Sequence, residues 1–176
     1  MSPTPTPTPP IEMFLKQDQT YDAILHTTEG DIKIKLFQNE VPVAANNFAM
    51  LVRDGFYNGL TFHRVVEGFM IQGGDPNGDG TGDPGYSFAD EAITRDYTRG
   101  TIAYANSGPN TNGSQFFIMH QDYGLAKNYV IFGEVTEGMD VVDKIATAET
   151  KYDDFGYEKS VPIDPVTITS AELVEE

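Results

Sequence analysis

Cysteine is missing from this chain of 176 residues, which rules out disulfide staples, thiolate metal centres and thiol nucleophiles together. Tryptophan is missing too. Cations are scarce: 11 Lys and Arg face 27 Asp and Glu, for a formal charge of −16. Phosphate binding needs clustered Lys and Arg, so nucleic acid is excluded as a partner. The surplus of carboxylates reads as a solubility device. No apolar run approaches the ~18 residues that a membrane span requires, so no span is expected. What the chain does hold is eleven Phe and nine Tyr within 39% hydrophobic residues. That is enough for one ordinary domain whose core is built on aromatic rings.

Along the chain, residues 1–10 read MSPTPTPTPP, a Pro-Thr alternation with no apolar face, expected to form an extended spacer. Such a spacer tethers a domain, with a signal peptide or lipid anchor upstream as the corresponding expectation; a plain solvated tail is the alternative. Residues 11–20 carry Ile11, Met13, Phe14 and Leu15 and read as a lead-in, and the domain proper spans 21–176. Two strands, Tyr21 to Thr28 and Asp31 to Phe37, meet at a Glu29-Gly30 turn, the second with Ile32, Ile34 and Leu36 in alternation. Val41 to Gly55 reads as a helix with Pro near its start and Gly at its stop. Further strands are expected over 61–66, 69–72, 101–106, 114–119, 129–135 and 165–174, with a second helix over 138–148. Eight short strands, two helices and glycine-rich turns predict a mostly β fold, a closed eight-stranded antiparallel barrel capped by the helices.

The search for chemistry eliminates more than it finds. His26, His63 and His120 lie far apart and form no zinc-spaced pair, so packed or surface roles are expected for all three. Ser87, Ser107 and Ser114 have no nucleophile elbow around them. Asp90-Glu91 and Asp153-Asp154 lack the apolar setting that tunes a general acid. Asp75-x-Asn77-x-Asp79-Gly80 opens like a calcium loop, but its twelfth position is Tyr86 rather than Glu, so a turn-rich loop is the expected reading. The remaining feature is Phe62 to Asp75, FHRVVEGFMIQGGD, in which Arg64 sits among apolar residues and the run ends at Gly73-Gly74. No metal and no cofactor are called for. As an ordinary structure, Phe69, Met70 and Phe117 would be barrel core and Arg64 a surface cation; the Phe-Met pair beside two glycines breaks that alternation.

FHRVVEGFMIQGGD and YANSGPNTNGSQFFI together resemble the two most characteristic segments of the cyclophilin family of peptidyl-prolyl cis-trans isomerases, in order and spacing. The likeness extends from about Tyr21 to Ile168, including VPVAANNFAMLVRDGFYNGLTFHRV and YVIFGEVTEGMDVVDKI. The family's barrel with two helices agrees with the pattern above. By resemblance, Arg64 is the catalytic guanidinium, and Phe69, Met70, Phe117 and Leu125 take the proline ring. Gln72, Ala105, Asn106 and Gln115 line the rest of the groove, with Tyr129 standing where the best-known eukaryotic members have histidine. Those members also carry a tryptophan in the preceding loop, where this chain has only Tyr123-Gly124; some bacterial-type members share both departures.

The resemblance implies a folding assistant that turns X-Pro bonds in unfolded or flexible segments, a monomer whose affinity for cyclosporin is reduced by the missing indole. A groove that holds proline-containing chains without turning them over is the alternative of another class. The spacer and the lack of Cys point to a bacterial envelope or secreted location, with the cytoplasm as the alternative.

Overall fold

Alternation settles the first hairpin. In the computed structural model of the protein, which describes residues 11–176, Ile32, Ile34 and Leu36 of β2 (Gly30–Leu36) are buried while Lys33 and Lys35 face outward. This strand pairs antiparallel with β1 (Tyr21–Thr27), which takes β10 (Ile168–Glu175) on its other side. The spacer expected at 1–10 lies outside the described residues.

The remaining strands of the main sheet are β3 (Arg64–Val66), β4 (Met70–Gly73), β5 (Thr101–Tyr104), β6 (Phe116–Met119) and β7 (Ile131–Glu137). Their order is β10-β1-β2-β7-β5-β6-β4-β3 and all documented pairs are antiparallel. These are the eight strands expected from the sequence. The sheet curls, but its ladder stops at β3 and β10, so a fully closed barrel overstates the hydrogen bonding. A short seam spans the gap: Thr61 bridges Thr167, Gly59 N donates to Ile168 O at 2.7 Å, and Phe62 N donates to Val166 O at 3.0 Å.

The interior is aromatic. Phe48, Tyr57, Phe62, Phe116 and Phe132 are all fully buried, with Phe116 set edge-on to Phe48 at 5.6 Å between centroids. Phe48 comes from α1 (Pro42–Arg53), in which every residue from Ala44 to Val52 is buried. That all-round burial is why its apolar spacing fits a single helical face only in part. Its outer side is covered by the segment before β1, where Phe14 N and Leu15 N both donate to Asn46 Oδ1. No side chain of the N-cap residue closes the helix start; the Glu91 carboxylate instead accepts from Val43 N and Ala44 N. The second helix, α2 (Met139–Ala146), buries Val141, Val142, Ile145 and Ala146. It starts at Gly138, whose φ of +99° and approach to Asp31 O, 2.2 Å from where a Cβ would stand, admit only glycine.

One element was not anticipated. After α2 the chain forms a two-stranded ribbon, β8 (Thr150–Tyr152) and β9 (Lys159–Pro162), separate from the main sheet. Their buried positions are Ser160 and Pro162, so no apolar alternation betrays them, and β9 lies beside β3. The Asp153 carboxylate folds the connecting loop by accepting from Phe155 N and Tyr157 N.

Candidate active site

Register places the site. Arg64 on β3 is opposite Gln72 on β4, Gln72 is opposite Phe117 on β6, and Phe117 is opposite Ala103 on β5, so one row of residues crosses four strands. The next row, Val65, Ile71 and Ile118, is fully buried in the barrel interior. Strand alternation therefore turns Arg64, Met70, Gln72 and Phe117 to the other face. At the end of β4 the chain turns away through Gly74, at φ +84°, where a Cβ would stand 2.5 Å from Ser114 O.

A cavity of about 380 Å³ opens on that face. Its apolar floor is Met70 and Phe117, both buried and continuous with the core, which reconciles the core reading of these residues with a site role. Phe69 and Leu125 stand at its sides, and Tyr129 meets Phe117 edge-on at 5.4 Å. Arg64, Gln72, Ala105 and Asn106 complete the lining. Tyr123, in the loop where the best-known eukaryotic cyclophilins have tryptophan, stacks on Phe69 at 4.4 Å and is half exposed. Gln115 lines a neighbouring cavity of about 530 Å³, which shares Gln72, Ala105 and Asn106 with the first. Nine of the ten expected site residues thus surround one pocket, and the tenth adjoins it.

Polar contacts fix the lining. Asn106 Nδ2 donates to Asn128 O at 2.8 Å, and Ala105 N donates to Gln115 O at 3.0 Å. Arg64 Nη1 donates to Gln72 Oε1 at 3.2 Å, and Gln72 Nε2 donates to Gln115 Oε1 at 3.1 Å. Sequence reasoning missed the strongest partner. Glu158, in the β8–β9 loop, accepts from Arg64 Nε at 2.7 Å and from Arg64 Nη2 at 2.9 Å. The hydrogen bonds from Arg64 hold the Glu158 carboxyl at about 2, well below the ordinary range, and Ser160 contributes a further bond. In return the carboxylate raises the Arg64 pKa. At a sequence separation of 94, no local signal could have joined the two.

The other candidates resolve into scaffold roles. His120 Nδ1 accepts from Gly68 N at 2.9 Å and so holds the β3–β4 turn, while burial lowers the His63 pKa. His26 lies 2.8 Å from Asp31 at the rim of β1. The calcium-like loop is tied up by its own backbone: buried Asp75 accepts from Asn77 N, Asp79 N and Gly80 N. Among the described residues no three His, Asp or Glu side chains gather as a metal site.

A curled eight-stranded sheet with two helices and an apolar pocket edged by one arginine defines a class, the proline isomerases built on this barrel. Residues 23–173 match the family described as cyclophilin type peptidyl-prolyl cis-trans isomerase, and the chain belongs to that family. It is 44% identical over 174 residues to the probable peptidyl-prolyl cis-trans isomerase A of Mycobacterium leprae, covering 86% of this chain and 93% of the relative. It is 48% identical over 132 residues to isomerase CYP18-1 of Arabidopsis thaliana, covering 72% and 82%. The crystal structure of a cyclophilin type isomerase from Cryptosporidium parvum superposes with a TM-score of 0.80 at 34% identity, covering 89% of this chain and 99% of that one. The same protein in the presence of the dipeptide Ala-Pro gives 0.79 at 34% identity, covering 88% and 99%. The activity is peptidyl-prolyl cis-trans isomerisation. Among the described residues, no helix is long and apolar enough to cross a membrane.

Proposed function

We propose that this isomerase turns X-Pro bonds in flexible or unfolded polypeptide segments without a covalent intermediate, with Arg64 stabilising the twisted amide. The observation that carries the reading is the placement of one guanidinium at the edge of the Met70–Phe117 floor. Amide resonance sets a rotation barrier of ~18–20 kcal/mol, and X-Pro bonds turn in tens to hundreds of seconds unaided. Nothing has to break. When the bond is twisted, conjugation is lost and the prolyl nitrogen regains a lone pair. A donor aimed there binds the twisted state more strongly than either planar one.

The rest of the pocket supports the same step. Phe69, Met70 and Phe117 hold the ring in an apolar setting, and excluding water strengthens a charged hydrogen bond beside it. Asn106 and Gln72 can hold the peptide backbone on one side of the bond while the other side swings. An Ala-Pro dipeptide accompanies the solved relative of the same fold, which supports a proline-containing segment as substrate. The protein acts as a monomer in this reading, and cyclosporin binds weakly because the chain has no tryptophan.

Arg64→Ala tests the mechanism. On a short proline peptide its kcat/KM should fall by about tenfold or more, with circular dichroism unchanged and the ring pocket intact. A variant that keeps the wild-type rate defeats the role given to the arginine. A wild type that broadens peptide resonances in NMR exchange without accelerating the exchange is a binder instead.

A further inference from the structure

Glu158 belongs to a ribbon outside the main sheet, yet its carboxylate takes the side-on edge of the Arg64 guanidinium with two short bonds. The loop that brings it there is closed by Asp153, and Asp153 N donates back to Glu158 O at 2.9 Å. Two residues on, Ser160 is buried on β9 and anchors the end of the loop. The contact is therefore a built one, with its own backbone and side-chain support.

It also ends a longer chain of bonds. Gln115 Nε2 donates to the carbonyls of Gly80 at 3.1 Å and Gly82 at 2.9 Å. Carbonyls only accept, so Gln115 must turn its NH2 toward them and its oxygen toward Gln72. Gln72 must then turn its oxygen toward Arg64, as it does. From the opposite side Glu158 can likewise only accept. Acceptors at both ends leave the amides one orientation and hold the guanidinium between them. Of its five N–H groups, three are engaged, by Glu158 twice and Gln72 once. One N–H on each terminal nitrogen remains for a substrate.

Resting on the role proposed above for Arg64, we infer that Glu158 is a positioning residue for isomerisation, which clamps the guanidinium so that its terminal nitrogens face the proline pocket. Two effects of the carboxylate oppose each other. It offsets part of the positive charge that stabilises the twisted amide, and it removes the rotamer search of a long side chain before substrate arrives. Both side chains are more than a third exposed, so water screens the charge effect. Orientation is not screened. A misaimed catalytic group is costly in rate, and the clamp outweighs the neutralisation.

The test is a double-mutant cycle on a proline peptide, with wild type, Glu158→Ala, Arg64→Ala and the double variant, each checked for an unchanged fold by circular dichroism. Glu158→Ala should lower kcat/KM by about tenfold, and the loss should fall on kcat, because the apolar ring walls that set KM are untouched. In the Arg64→Ala background the same change should cost nothing further. Glu158→Gln, which keeps an acceptor for Nε, should recover part of the rate. Glu40→Gln, which removes the charge from the Arg95 pair on another surface, should leave the rate alone. A Glu158→Ala variant as fast as wild type or faster, or one whose loss is the same with and without Arg64, overturns the clamp. The two readings fail separately: full activity in Arg64→Ala defeats the arginine mechanism, whereas a slow Arg64→Ala beside a silent Glu158→Ala defeats only the clamp.

Discussion

Two loops flank the row Arg64, Gln72 and Gln115, and each is folded by an aspartate that collects backbone N–H groups. The first, 75–86, hangs on Asp75, which is 1% exposed and accepts from three of them. The second, 153–158, hangs on Asp153, which is only half-buried and accepts from two. The first offers the site backbone, the carbonyls of Gly80 and Gly82; the second offers a side chain, Glu158. The same local device thus gives a fixed frame on one side and an adjustable partner on the other, and burial makes the difference. The bonds to Asp75 are partly shielded from water and those to Asp153 are exposed, so water replaces the second set more readily than the first. At the outer loop's tip Phe155 and Tyr157 are 80% and 87% exposed, stacked on each other at 6.0 Å and on nothing else in the core.

The comparison breaks most visibly at its buried end. Asp75→Ala empties a buried position and removes the shared acceptor of three partly shielded N–H groups, and the expected loss of stability is on the order of 3 kcal/mol. A denaturant titration measures it, and kcat/KM should fall as well, because Gln115 loses the carbonyls that orient it. If the midpoint of Asp75→Ala matches wild type, the inner loop is held by something other than its aspartate. Asp153→Ala should cost less than about 1 kcal/mol, because its N–H groups are already near water. Its effect should instead appear in rate, as a fraction of the loss in Glu158→Ala, since the loop that carries the carboxylate is loosened but not removed. An Asp153→Ala loss in stability equal to that of Asp75→Ala would erase the distinction between the two loops.

The same contrast explains what could be read from residues alone. Strands with one buried face announce themselves, as Ile32, Ile34 and Leu36 do, and the Phe62 to Asp75 segment shows its arginine among apolar neighbours. Resemblance to the cyclophilins then named ten lining residues, and register explains why they meet: Arg64, Gln72 and Phe117 are cross-strand neighbours. The β8–β9 ribbon gave no such signal. Lys151, Tyr152 and Lys159 are exposed, and only Ser160 and Pro162 are buried. The buried face of β9 carries a serine and a proline rather than large apolar side chains, so no hydrophobic period marks it. Asp153 looked like one more solvated carboxylate in an acidic chain, since its role lies in backbone bonds that composition does not reveal. The seam between Leu60–Phe62 and Val166–Ile168 was hidden for a related reason. It is made by single backbone bonds from residues ahead of β3 to Val166 and to the first residue of β10, Ile168.

The smallest effect separates the ionic part of the Glu158 contact from the rest. Its carboxyl titrates at about 2 in the folded protein, below the ~4.3 of an unperturbed glutamate. A depressed folded pKa gives stability that is present above the unfolded value and is lost as pH falls through the folded one. Wild type should therefore melt higher than Glu158→Gln near neutral pH, and the gap should close as pH drops from about 4.3 towards about 2. The gap starts small, because both partners are more than a third exposed and water screens them. Added salt should narrow it further at neutral pH. A gap that persists unchanged in acid would assign the contribution of Glu158 to packing and neutral hydrogen bonds. In that case the charge on the carboxylate would matter neither to the fold nor to the hold on Arg64, and the outer loop would serve the site by shape alone.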